Sequence, residues 1–186
     1  MPRLFTAIEL PSQVSTHLSL LQGGLPGARW IDPPNFHITL RFIGDIELPV
    51  ARELAEQLER VMTEPFDLQL SGLDVFGHSK PHSLFVSVKR NESLMEMQAS
   101  IERICQRMGL PPDPRKFTPH VTLARVRGLK PQAIADFLSN RGIFQAVPFQ
   151  VDRFVLYSSR NSIGGGPYVT EETYKLVHKE RLDVTA

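Results

Sequence analysis

The chain has a single cysteine, Cys105, so no internal disulfide can form and a reducing compartment is expected. Cys105 falls in the helical pattern Ile101, Ile104, Cys105, Met108 and reads as a buried thiol. Excess charge of one sign is also lacking. A net charge of +1 gives no broad field, so an anionic partner has to be held by a local basic patch. No apolar run nears the ~20 residues of a membrane span. The opening MPRLFTAIELP meets Pro11 before it can build a secretory apolar core. The expectation is a cytoplasmic, monomeric protein with neither a membrane nor an obligate protein partner. The Gly164-Gly165-Gly166-Pro167 turn lacks the Lys-Ser/Thr and the following helix of a phosphate loop, and reads as a hairpin turn. A nucleophile elbow is missing too, which removes Ser/His/Asp hydrolysis.

What the chain does have is one phrase said twice, His37-Ile38-Thr39-Leu40 and His120-Val121-Thr122-Leu123. Random placement of its six histidines, nine threonines and 22 leucines gives about 0.03 occurrences of His-x-Thr-Leu. Two occurrences point to duplication. The spacing agrees, because Pro65-Phe66 lies 28 positions after His37 and Pro148-Phe149 lies 28 after His120. With 41% hydrophobic and 22% charged residues, the 186-residue chain is one globular domain, 1–186, made of two similar lobes.

Local patterns predict strands over Leu4–Leu10, Asn35–Ile43, Phe66–Phe76, Ser83–Val88, Phe117–Val126, Val147–Val151, Arg153–Tyr157 and Tyr168–His178. Helices are predicted from Pro11 to Leu21, Leu48 to Met62, Ser93 to Met108 and Pro131 to Leu138. Side chains alternate along a strand. His37 and Thr39 therefore share one face, as do His120 and Thr122, while Ile38, Leu40, Val121 and Leu123 turn to the core.

Two histidines facing each other across a cleft suit in-line attack on a phosphodiester, which needs a proton acceptor and a proton donor on opposite sides of phosphorus. Imidazole can do either near neutral pH. The Thr39 and Thr122 hydroxyls, on the same face, can donate to the non-bridging oxygens. Neither motif carries a neighbouring Asp, Glu or Cys at ligand spacing, so no metal and no cofactor is expected. From Arg115 to Lys130 the chain has five cations and no acid, and Arg41 follows the first motif. Phosphate favours such surroundings. Arg125 follows the second motif directly, yet strict alternation turns it from the histidine face unless the strand is irregular. Trp30, Phe36, Phe42 and Phe117 are candidates for stacking on a base. His17, His78, His82 and His178 read as ordinary structural or surface residues.

These motifs, together with Arg3-Leu4-Phe5-Thr6-Ala7-Ile8, Pro119-His120-Val121-Thr122-Leu123-Ala124-Arg125 and Phe154-Val155-Leu156-Tyr157-Ser158-Ser159, resemble the 2H phosphoesterase superfamily. Within it the chain resembles the RNA 2',3'-cyclic phosphodiesterases, also called 2'-5' RNA ligases. The resemblance implies an α+β fold, bilobal, with two pseudo-symmetric antiparallel sheets around a central cleft and helices on the outer faces. It implies hydrolysis of a 2',3'-cyclic phosphate at an RNA end to a 2'-phosphate, and reversible 2'-5' ligation as a side activity. By motif position His37 is the proton donor and His120 the acceptor, with Thr39, Thr122 and Arg125 on the phosphate. Alternatives are a phosphodiesterase of small cyclic nucleotides or 2'-5' oligonucleotides, and an RNA-end-binding module without turnover.

Overall fold

A run buried without a break from Leu4 to Ile8 forms β1 (Arg3–Glu9), and α1 (Ser12–Ser19) follows with Val14 and Leu18 buried. β2 (Ala28–Trp30) and a 3-10 turn at Pro33–Asn35 lead into β3 (His37–Asp45). Next come α2 (Leu48–Leu58), β4 (Phe66–Leu68), β5 (Leu70–Phe76) and β6 (Ser83–Val88). The Asn91 side chain accepts from Leu94 N–H at 2.9 Å and so starts α3 (Glu92–Arg107). β7 (His120–Val126), α4 (Pro131–Arg141), β8 (Phe149–Val151), β9 (Arg153–Ser158) and β10 (Val169–Lys175) complete the chain. The computed structural model describes residues 2–141, 143–159 and 165–177. His178, and Ser162 to Gly164 of the glycine-rich turn, lie outside the described residues.

The order β-α-β-α-β-β occurs twice, as β1-α1-β3-α2-β4-β5 and β6-α3-β7-α4-β8-β9, with β2 and β10 added. The two units are intertwined. β1 pairs with β9 of the second unit, and β6 pairs with β5 of the first. All pairings are antiparallel, and the large sheet runs β10-β9-β1-β3-β7-β6-β5 with β2 on β7. Its two halves meet at one register pair, Ile38 opposite Val121. The two sheets expected around the cleft are thus halves of one continuous sheet. A small second sheet pairs β4 with β8, Phe66 opposite Val151 and Leu68 opposite Phe149.

The core lies between this sheet and the helices. Leu54, Leu58, Leu94, Met97, Ile101 and Ile134 share one core with Ile38, Leu40, Val121 and Leu123, all at most 3% exposed. Burying each such side chain is worth roughly 1.5–3 kcal/mol. Cys105 is fully buried, and desolvation pushes its thiol up to about 11, as expected of an inert core residue.

Three local expectations change. The single strand Phe66–Phe76 is two strands, because its first three residues pair with β8 and the rest with β6. Between them the Gln69 side chain donates to Ala146 O at 3.0 Å. The second helix stops at Leu58, where i to i+3 bonds to Glu56, Gln57 and Leu58 carbonyls tighten the chain. α4 runs on through Asn140 and Arg141, whose guanidinium donates to Gly23 O at 2.6 Å.

Candidate active site

His37 opens β3 and His120 opens β7. Alternation sends Ile38, Leu40, Val121 and Leu123 into the core and leaves His37, Thr39, His120 and Thr122 lining one cleft of about 830 Å³. The structure thus brings all four together.

Each motif strand then breaks register at the same place. Against β1, Thr39 pairs with Ala7 and Arg41 with Thr6, so Leu40 is skipped; against β6, Thr122 pairs with Phe85 and Ala124 with Leu84, so Leu123 is skipped. One extra residue in a strand reverses the facing of everything after it. Phe42 and Arg125 consequently emerge on the cleft side. This is the irregularity that Arg125 required.

The same bulge overturns the expectation for Arg41. It is turned inward, 6% exposed, and its guanidinium bonds Glu102 of α3 and the Phe42 and Pro111 carbonyls. Arg41 holds the fold and does not face the cleft. Of the basic stretch, Arg115, Lys116 and Arg125 line the cleft and Arg127 and Lys130 do not. Asp113 is the one carboxylate among the described lining residues, and Arg115 donates to it at 3.2 Å, holding its pKa below the usual carboxylate range.

The imidazoles are clamped alike. His37 Nδ1–H donates to Asn35 O at 2.8 Å, and His120 Nδ1–H donates to Thr118 O at 2.7 Å. Each carbonyl fixes the tautomer and leaves Nε2 as the nitrogen free to take or give a proton. Thr39 Oγ1 is 3.1 Å from His37 Nε2.

Surroundings differ. His37 sits among Phe5, Tyr168 and Tyr157, with ring centroids at 5.2, 5.1 and 6.2 Å. Burial lowers its pKa to about 4, opposed by the Asn35 hydrogen bond and aided by the charges of His120 and Arg125. His120 meets Phe76 at 4.8 Å and Phe85 at 5.2 Å, and burial first, then Arg125 and Arg115, lower its pKa as well. Both rings are therefore neutral at neutral pH.

Sequence reasoning did not find the carbonyl clamps, although Asn35 and Thr118 occupy equal places before the two histidines. Nor did it find the aromatic walls, whose members come from β1, β5, β6, β9 and Tyr168 just before β10. Of the four stacking candidates, Phe36 is buried, Trp30 packs on Phe137 of α4 at 6.1 Å, and Phe42 and Phe117 line the cleft. His82 lines the cleft too, stacked 6.3 Å from Phe76, whereas His17 packs on Phe144.

A sequence model of the 2'-5' RNA ligase superfamily matches residues 26–162, which include both motifs. The chain belongs to the 2'-5' RNA ligase superfamily. Among members with a curated name, the RNA 2',3'-cyclic phosphodiesterase of Aeropyrum pernix is 39% identical over 114 residues, 60% of this chain and 64% of that one. The one of Geobacillus stearothermophilus is 33% identical over 128 residues, 65% of this chain and 41% of that one. The chain therefore spans less than two thirds of the length of either relative. The crystal structure of E. coli LigT complexed with 3'-AMP superposes with a TM-score of 0.77 at 21% identity, covering 96% of this chain and all of that one. At that identity the likeness is one of fold. This superfamily member also has no described helix long and apolar enough to cross a membrane.

Proposed function

We propose that the protein is an RNA 2',3'-cyclic phosphodiesterase that opens a terminal cyclic phosphate to a 2'-phosphate by two-histidine acid–base catalysis without a metal. The observation that carries this reading is the matched pair of backbone clamps, which point two Nε2 atoms into one cleft. The names of the curated relatives support it.

In the reaction, His120 Nε2 takes a proton from water as the water oxygen bonds to phosphorus. The P–O3' bond breaks on the opposite side, and His37 gives its proton to the departing oxygen. Each step of this kind contributes typically 10²- to 10⁴-fold. Thr39, Thr122 and Arg125 donate to the non-bridging oxygens, where negative charge builds. The substrate's own negative charge offsets the desolvation that holds His37 low, and so helps keep it protonated in the complex. By microscopic reversibility the same groups, with roles exchanged, join RNA ends through a 2'-5' linkage, with hydrolysis favoured in water.

The test is an RNA ending in a 2',3'-cyclic phosphate, incubated with the protein in excess EDTA. The expected product is a monoester resistant to a 3'-specific phosphatase, absent with His37→Ala and with His120→Ala. Turnover that appears only when a divalent metal is restored would overturn the reading.

A further inference from the structure

The two clamp carbonyls are held by different means, although Asn35 and Thr118 stand 83 positions apart, like the histidines they clamp. Before His37 the chain holds itself. The Pro33–Asn35 turn closes with Asn35 N–H on Asp32 O at 2.8 Å and Phe36 N–H on Pro33 O at 3.1 Å. Before His120 it cannot. Residues 110–119 lie in neither helix nor strand, and Pro111, Pro112, Pro114 and Pro119 remove four of the N–H donors with which a segment closes on itself. Such a stretch is fixed by groups that reach it from outside.

The reach comes from the other motif strand. Arg41, turned inward by the bulge, donates to Pro111 O and to Glu102 of α3. The second oxygen of Glu102 accepts from Asp113 N–H at 3.4 Å. Asp113 in turn accepts from Arg115 N–H at 3.0 Å and from two guanidinium N–H groups of Arg115 at 3.2 Å. Asp113, Arg115 and Thr118 all line the cleft. A continuous run of hydrogen bonds thus leads from β3, four residues past His37, to the cleft wall beside the His120 clamp. The far end of the segment is held by Val88 N–H on Pro119 O at 3.3 Å.

Duplication does not account for Arg41. Its counterpart 83 positions on is Ala124, which is fully buried and has nothing with which to hold a loop. Net stability does not account for it either, because apolar groups of similar volume often replace a buried ion pair without loss. What apolar groups cannot supply is a rigid fork of donors that fixes a carboxylate and two backbone carbonyls at once.

Resting on the cyclic-phosphodiesterase reading, we propose that Arg41 is a positioning residue for the reaction: through Glu102 and Pro111 it ties the His37 strand to the proline-rich approach to His120. It touches no substrate. It sets the Thr118 carbonyl, and with it the His120 imidazole, in place relative to His37, and it presents Arg115 to the cleft. In-line transfer needs donor and acceptor placed together, and a misplacement of about 1 Å can cost on the order of 10²-fold.

The test compares the wild type with Arg41→Met/Glu102→Leu, which leaves no uncompensated charge, and with Arg41→Lys, which keeps a charge opposite Glu102 and loses the fork. Urea unfolding first establishes which variants are folded, and Arg41→Lys carries the test where the double variant is not. On an RNA end with a 2',3'-cyclic phosphate, kcat should fall about 10- to 100-fold for the double variant with KM changed less than about threefold, and by a smaller factor for Arg41→Lys.

Nitrogen-15 NMR of the imidazoles supplies a readout that a loss of stability alone would not move. In the folded variants His120 should pass from its single Nδ1–H form to a mixture of both tautomers, while His37 keeps its Nδ1–H form. A folded double variant with kcat within about twofold of wild type, an unchanged His120 tautomer, or a His37 that loosens as much as His120 would each overturn the tie. A wild type that turns over no cyclic phosphate would instead sink the cyclic-phosphodiesterase reading, and the tautomer measurement, which needs no turnover, would still decide the tie.

Discussion

Ile38 of β3 faces Val121 of β7 as the single register pair between the two halves of the sheet, and the two are the same residue of the two repeats. The offset between copies is 121 − 38 = 83, as it is for His37 and His120. In the small sheet Asp67 faces Gln150, again 83 apart. Both pairs therefore sit where a pseudo-two-fold axis crosses the molecule. A residue one step from that axis, such as His37, is carried to the opposite cleft wall as His120.

The proposed acid and base roles make the histidines weigh more than the threonines. His37→Ala and His120→Ala should each cut kcat by about 10²- to 10⁴-fold. Thr39→Ala and Thr122→Ala should each cost on the order of 1–3 kcal/mol in the barrier, a lost hydrogen bond. Steady-state kinetics on a cyclic-phosphate RNA end decide it. Equal small losses from all four variants would count against acid–base roles.

The pH dependence follows from the lowered imidazoles. In the free protein His37, the proposed donor, is protonated mainly below about 4, and His120, the proposed acceptor, is neutral above a pKa that lies under 6.5. The product of those two populations peaks between the two values, so kcat/KM should be maximal on the acid side of 6.5. The kcat profile should lie further to the alkaline side, since the bound phosphate's charge raises both imidazoles. A kcat/KM maximum above pH 7.5 would contradict this.

The same shift affects stability. Between about 4 and 6.5 the unfolded chain binds a proton at His37 that the folded chain does not, so this contribution to stability is present above 6.5 and lost as pH falls toward 4. His37→Ala should flatten the fall in Tm across that window, as followed by circular dichroism.

Removing Glu102 strands a buried guanidinium. Glu102→Ala should destabilise the fold by about 3–5 kcal/mol, read from the urea midpoint. The double change Arg41→Met with Glu102→Leu should recover most of that loss, because no uncompensated charge remains.

Gly166 has φ +93°, and a Cβ there would fall 2.4 Å from Asn35 Cγ, beside the carbonyl that clamps His37. Gly166→Ala should cost about 1–2 kcal/mol in stability from the left-handed backbone alone. It should lower kcat by more than that strain explains, because Asn35 must move and His37 turns with it. Unchanged kcat would show that Asn35 absorbs the methyl group without disturbing the clamp.

Much of this was legible in the residues themselves. The His-x-Thr repeats, the alternation that puts four polar groups on one face, and the β-branched and aromatic runs rest on local rules with fixed periods. They placed His37, Thr39, His120 and Thr122 in one cleft and assigned both motif strands. Arg41 was misread because periodicity assumes an unbroken pleat, and skipping Leu40 against β1 is a property of the pairing of two strands distant in sequence. β2 was invisible for a related reason, since three residues become a strand only by lying against Ala124 to Val126.

The sequence alone determined which atoms can do the chemistry, because duplication of a motif copies its side chains and their alternation. Tertiary structure decided how far each imidazole is desolvated, and that Arg125 rather than Arg41 lines the cleft. Those properties come from contacts between segments 30 to 150 residues apart, and no local period in the chain encodes them.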